Sequence, residues 1–113
     1  MSQDPQPPKY QDLKIKLAEP ILAEARRTKG GIPTRVNSDS WVIASVSDWL
    51  LEHAGKETGI KRQSNRGKQL TTLVLTPETV QQLHAERKRR GGVRQGPTIR
   101  AIVESAILAH LSK

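Results

Sequence analysis

Two stretches of this chain alternate apolar and polar residues at period two, and each runs straight into a helical pattern. In Asp12-Leu13-Lys14-Ile15-Lys16-Leu17, Leu and Ile fall on one side and charge on the other, which predicts a strand with one buried face. Leu70-Thr71-Thr72-Leu73-Val74-Leu75 is rich in β-favouring residues and puts Thr71, Leu73 and Leu75 on one face, so it too reads as a short strand. Thr76-Pro77-Glu78 then starts a helix. Its hydroxyl can cap free N–H groups, Pro suits the first helical position, and acid suits the positive end of the dipole. Ala18-Glu19-Pro20 is the corresponding start after the first strand, ahead of apolar Ile21, Leu22 and Ala25. Both helices are expected to end in basic turns, Arg26-Arg27-Thr28-Lys29 and Arg87-Lys88-Arg89-Arg90, and to stop at Gly30-Gly31 and Gly91-Gly92, where left-handed caps form readily.

Each half predicts a second helix. Asn37-Ser38-Asp39-Ser40 offers several N-caps for a helix whose apolar face is Val42, Val46, Trp49, Leu50 and His53 and which ends at Ala54-Gly55. The other begins at about Thr98. A shift of 58 residues lays Ile15 on Leu73 and Leu17 on Leu75; a shift of 57 lays Val42, Val46, Trp49, Leu50 and His53 on Ile99, Val103, Ala106, Ile107 and His110. Such near-equal offsets point to an internal duplication. The two Gly-Gly pairs are 61 apart, so the copies differ in length around the first helix or its turn. The chain accordingly divides into a flexible Pro-rich arm (residues 1–11), a first strand-helix-helix unit (12–54), a basic linker (55–69) and a second unit (70–113). One unit alone leaves strand edges unpaired and helix faces uncovered, so the two are expected to share a core.

Composition narrows the function. The chain has 113 residues, no Cys and no Phe, and a formal net charge of +8. A disulfide framework and a Cys-based zinc site are thereby excluded, and a polyanion, nucleic acid foremost, is the expected partner. The linker concentrates this charge, with Lys56, Lys61, Arg62, Arg66 and Lys68 against a single acid, Glu57; Gly55, Gly59 and Gly67 suggest that it is a flexible connector. No apolar run approaches the roughly 20 residues of a membrane span, and the start, Met1 to Pro8, is polar and Pro-rich. The expected location is cytoplasmic, associated with nucleoid or plasmid, with no membrane partner.

Strand, helix, glycine turn and helix in this order resemble the ribbon-helix-helix unit of the Arc/MetJ/CopG superfamily, and the duplication is similar to its tandem single-chain form, the TraY type. The resemblance covers roughly Asp12 to Leu111. It implies a mainly α fold with one two-stranded antiparallel ribbon, a tandem ribbon-helix-helix pseudo-dimer ordered β-α-α-linker-β-α-α. It further implies sequence-specific binding of double-stranded DNA, with the ribbon in the major groove. The outward residues Asp12, Lys14, Lys16, Leu70, Thr72 and Val74 would contact bases. In the family the N-terminus of each second helix meets a backbone phosphate; the matching positions are Asn37, Ser38 and Asp39, then Gly96 and Thr98, with Arg35 and Arg94 beside them. Arg26, Arg27, Lys29 and the Arg87 to Arg90 run would add sequence-independent attraction. Lys14 and Lys16 can donate to guanine, Thr72 can bond a base edge, and Val74 can touch only a methyl group, so the core site is expected to be non-palindromic. The aliphatic Leu70 and Val74 depart from the family's outward residues.

The implied role is a transcriptional repressor or a plasmid replication, transfer or partition accessory factor. Self-association along DNA stays open. The alternative is a protein-interaction module of the antitoxin type, ranked lower because the chain stops at Ser112-Lys113 directly after a helix. RNA binding lacks the surface aromatics it would need. His53, His84 and His110 have no cysteine or acid cluster at ligand spacing, so the first and last are read as edge-of-core residues. Trp49 lies on the apolar stripe and Trp41 off it, and no nucleophile and base stand at catalytic spacing. The expectation is a non-enzyme with no cofactor, no metal and no small-molecule substrate.

Overall fold

Period-two alternation decides the first contact in the molecule. The computed structural model describes residues 10–32, 41–54, 56, 58–60, 67–92 and 97–112. Among these, strand β1 (Gln11–Leu17) is followed by helices α1 (Glu19–Lys29) and α2 (Trp41–Glu52), then strand β2 (Gln69–Leu75) and helices α3 (Pro77–Arg89) and α4 (Ile99–Leu111). Each strand begins one residue earlier than the alternation suggested. The two strands pair antiparallel as one two-stranded sheet, in a register that sets Leu13 opposite Leu73, Lys14 opposite Thr72 and Ile15 opposite Thr71. Leu17, Leu73 and Leu75 on the inner face are fully buried.

The helix boundaries follow the cap chemistry. Thr76 Oγ1 accepts from the Thr79 N–H at 3.2 Å, and Pro77 takes the first turn of α3. At the end of α1, Gly30 is left-handed (φ 76°); its N–H donates to the Arg26 carbonyl, and that of Gly31 to Ala25. A helix C-terminus leaves four carbonyls without intrahelical partners, and the αL cap closes the last turn over them.

The inner faces of ribbon and helices meet in one apolar cluster drawn from both halves: Leu17, Ile21, Val42, Val46 and Trp49 from the first, Leu73, Leu75, Leu83, Val103 and Ile107 from the second. Most of the packing crosses between halves. Helix α1 lies on α4, α3 on α2, α2 on β2, and α4 on β1. A half removed from its counterpart would expose the apolar surface that now packs across the boundary, the condition under which small units do not fold alone.

Two features depart from the sequence expectation. First, α4 buries a carboxylate: Glu104 is 2 % exposed, its Oε2 accepts from the Ala18 N–H at 2.9 Å, and its Oε1 lies 3.1 Å from Arg100 Nε. It satisfies a buried backbone donor at the β1-α1 junction, where Ala18 has no side-chain cap of its own. Second, the part of the linker that is described is fastened rather than loose. Arg89 donates to the Lys56 carbonyl at 2.5 Å and Arg90 to that of Thr58 at 3.1 Å, while Ile60 packs against the core. Among the described residues, no helix is long and apolar enough to cross a membrane.

Candidate nucleic-acid interface

Because residues alternate faces along a strand, the register that buries Leu17, Leu73 and Leu75 and half-buries Leu13 sends the other set outward. Asp12 stands opposite Val74, Lys14 opposite Thr72, and Lys16 opposite Leu70. Asp12, Lys14 and Lys16 are exposed, Leu70 is 67 % exposed, and Thr72 and Val74 are half-buried. The six residues singled out from the sequence therefore share one face of the ribbon. Its chemistry is uneven: two ammonium groups and a carboxylate on β1, a hydroxyl and two aliphatic groups on β2.

The set expected to meet phosphate is placed less completely. Arg35, Asn37, Ser38, Asp39, Arg94 and Gly96 lie outside the described residues. Thr98 is exposed and N-caps α4, its Oγ1 accepting from the Ala101 N–H at 3.1 Å. That cap leaves the hydroxyl proton able to donate outward.

The basic turns split into two kinds. Arg26 and Lys29 are exposed on α1, and Arg27, also exposed, pairs with Glu24; the hydrogen bond between them raises the guanidinium's pKa and lowers that of the carboxyl. On α3, two members of the basic run, Arg89 and Arg90, are engaged within the protein, Arg89 on an exposed position. Both pair with Glu86, Arg90 Nε at 2.6 Å. The Arg90 side chain is only 4 % exposed and its guanidinium lies 5.2 Å from the centre of the Trp49 ring. Trp49 in turn stacks on His53 at 4.2 Å, and His53 Nδ1 is 2.9 Å from the Trp49 carbonyl, which only an N–H can meet. These cations hold the linker and the α2 terminus. The hydrogen bond from Arg89 pulls the Glu86 carboxyl below the ordinary carboxylate range; burial pushes it back, and Arg90 adds to the pull.

His110 stacks on Trp41, ring centres 5.7 Å apart. Trp41, off the apolar stripe, is thus half-buried against the core. Among the described residues no three His, Cys, Asp or Glu side chains gather where a metal ion could sit. Glu86 and Glu104 were missed at the sequence level. The signal was there in the i,i+3 and i,i+4 spacing of Glu86 to Arg89 and Arg90 and of Glu104 to Arg100, but that spacing is equally that of an ordinary solvated pair. Comparison with protein-family models, curated proteins and solved structures returns no match.

Proposed function

We propose that this chain is a sequence-specific double-stranded DNA-binding protein that inserts its two-stranded ribbon into the major groove. It would act as a transcriptional repressor or as a plasmid replication, transfer or partition accessory factor, binding rather than catalysing. The observation that carries this reading is the common outward face of Asp12, Lys14, Lys16, Leu70, Thr72 and Val74. A two-stranded ribbon fits the major groove and offers alternate side chains to base edges. The net charge of +8 supplies the attraction to the duplex.

The finer architecture belongs to the same proposal. The chain is a tandem pseudo-dimer in which each strand-helix-helix half does the work of one subunit. Its support is numerical: the repeat shift of 58 maps Lys14 onto Thr72, and those two residues face each other in the ribbon. A pseudo-two-fold axis therefore passes between them. Since residues related by this axis differ (Lys14 and Thr72, Lys16 and Val74, Asp12 and Leu70), the bound core site is non-palindromic.

Titration of random duplex DNA at several salt concentrations, wild type against Lys14→Ala, tests the reading. Binding should weaken steeply with salt in both proteins, while Lys14→Ala loses about 1–3 kcal/mol of discrimination among selected sequences. Duplex binding indifferent to salt, or none, refutes it.

A further inference from the structure

The ribbon has two free edges, and a duplex whose major groove it fills must carry a backbone past each. The groove is about 12 Å wide and paired strands sit about 4.8 Å apart, so those backbones run close beside the strands. Along the outer edge of β2 lies an open groove of about 340 Å³. It is lined by Leu70 and Thr72 of the outward face, by Leu22 and Arg26 of α1, and by the Gly31-Ile32 turn. Its lining combines apolar Leu22, Ile32 and Leu70 with the cation of Arg26, which is exposed. A sugar-phosphate strand has this same character, apolar on the sugar and anionic on the phosphate.

The opposite edge is built differently. The shift of 58 that relates the strands also relates the starts of α1 and α3, Glu19 and Pro77, and maps Arg26 onto His84 and Leu70 onto Asp12. His84 is exposed. Where the β2 edge has a guanidinium and an aliphatic group, the β1 edge has an imidazole, not a permanent cation, and a carboxylate that repels phosphate. Lys14 and Lys16 belong to the outward face rather than to the helix behind the edge.

We infer that the groove between α1 and the start of β2 seats one backbone of the duplex, with Arg26 as its phosphate-binding cation, and that the pseudo-symmetric position at His84 makes no equal contact. The inference rests on the DNA-binding reading and adds a lopsided grip on the two strands.

The test compares Arg26→Ala, Arg26→Lys and His84→Ala with wild type on one duplex selected for tight binding. Arg26 is exposed on a helix that Ala favours, so the fold is retained. Loss of one phosphate contact should lower the slope of log affinity against log salt by about 0.9 in Arg26→Ala. Affinity should fall several-fold without change of preferred sequence, Arg26→Lys should restore the slope, and His84→Ala should match wild type. Hydroxyl-radical cleavage should show one strand protected beside the core site more than the other, and that excess lost in Arg26→Ala. Salt-dependent, sequence-selective binding by wild type with an unchanged slope in Arg26→Ala, or equal losses in Arg26→Ala and His84→Ala, overturns the inference and leaves the DNA reading standing. Absence of salt-dependent duplex binding by wild type overturns both.

Discussion

Glu104 offers the most discriminating probe of how the two halves are held. Its carboxylate reaches from α4, late in the chain, to the Ala18 N–H at the β1-α1 junction, at 2.9 Å and with Glu104 2 % exposed. In Glu104→Ala that N–H, on a residue with no exposed surface, loses its acceptor. A buried donor left unpaired costs about 1–3 kcal/mol, and the void left by the side chain adds about 1 kcal/mol more. Arg100 also loses a partner, but its side chain is 19 % exposed and can turn to water, so that loss adds little. The expected destabilisation is about 2–4 kcal/mol, a large share of the about 5–15 kcal/mol that holds a small domain together. Glu104→Gln keeps an amide oxygen for the Ala18 N–H and gives up only the charge, so about 1 kcal/mol is expected. Urea unfolding followed by the fluorescence of Trp41 and Trp49 measures both, with an unchanged denaturant slope as the check that only stability has moved. Equal losses in the two variants, or none in Glu104→Ala, would show that this bond is not what ties α4 to the ribbon.

Three further outcomes are expected. Glu86 has its pKa lowered in the folded protein, first by the hydrogen bond from Arg89. Its contribution is therefore present above the unfolded carboxylate range and lost as pH falls through the lower, folded value; Glu86→Gln should flatten the acid limb of a stability-against-pH curve, and an unaltered limb counts against the pairing. Gly59 has φ 95°, and a Cβ there would lie 2.3 Å from His53 Nε2, so Gly59→Ala should cost more than about 1 kcal/mol in the same urea assay. Because β1 pairs with β2 of its own chain, the unfolding midpoint should not move over a hundredfold range of protein concentration, whereas a dimer that exchanged halves would gain about 2.7 kcal/mol over that range.

The fold was legible where local chemistry and burial agree. Alternation at Leu13, Ile15, Leu17, Leu73 and Leu75 set both strands and their inner face, since a slip of one residue would invert every side chain. Thr76-Pro77 and Gly30 marked helix ends because capping is decided within a few residues. What stayed hidden depends on partners distant in sequence. A Glu three or four residues before Arg reads the same on a solvated surface as at Glu86, where Arg89 and Arg90 reach back 33 and 32 residues to linker carbonyls. Glu104 meets Ala18 across 86 residues, a separation no local pattern encodes. For the same reason Arg90 read as surface charge, although it lies buried over Trp49.

The unlikeness of the two strands decides what the outward face of the ribbon carries. In the observed register, Lys14 faces Thr72 and Lys16 faces Leu70. If β1 paired with a second β1 about the same axis, Lys14 would face Lys14, a like-charge pair unfavourable by a few tenths to about 1 kcal/mol, and Asp12 would face Lys16 on either side of it, two opposite-charge pairs that offset the repulsion; the outward face would then be charged throughout. If β2 paired with β2, the outward face would set Leu70 beside Val74 with no charge at all, an apolar edge-strand surface of the kind that aggregates. Joining the halves in one chain removes the demand that both strands carry the same residues. One strand can then concentrate charge at Asp12, Lys14 and Lys16 while the other dilutes it. On the proposed reading, that division gives the ribbon a direction, and a protein with a direction on DNA can distinguish a site from its own inverse, which an identical pair of strands cannot.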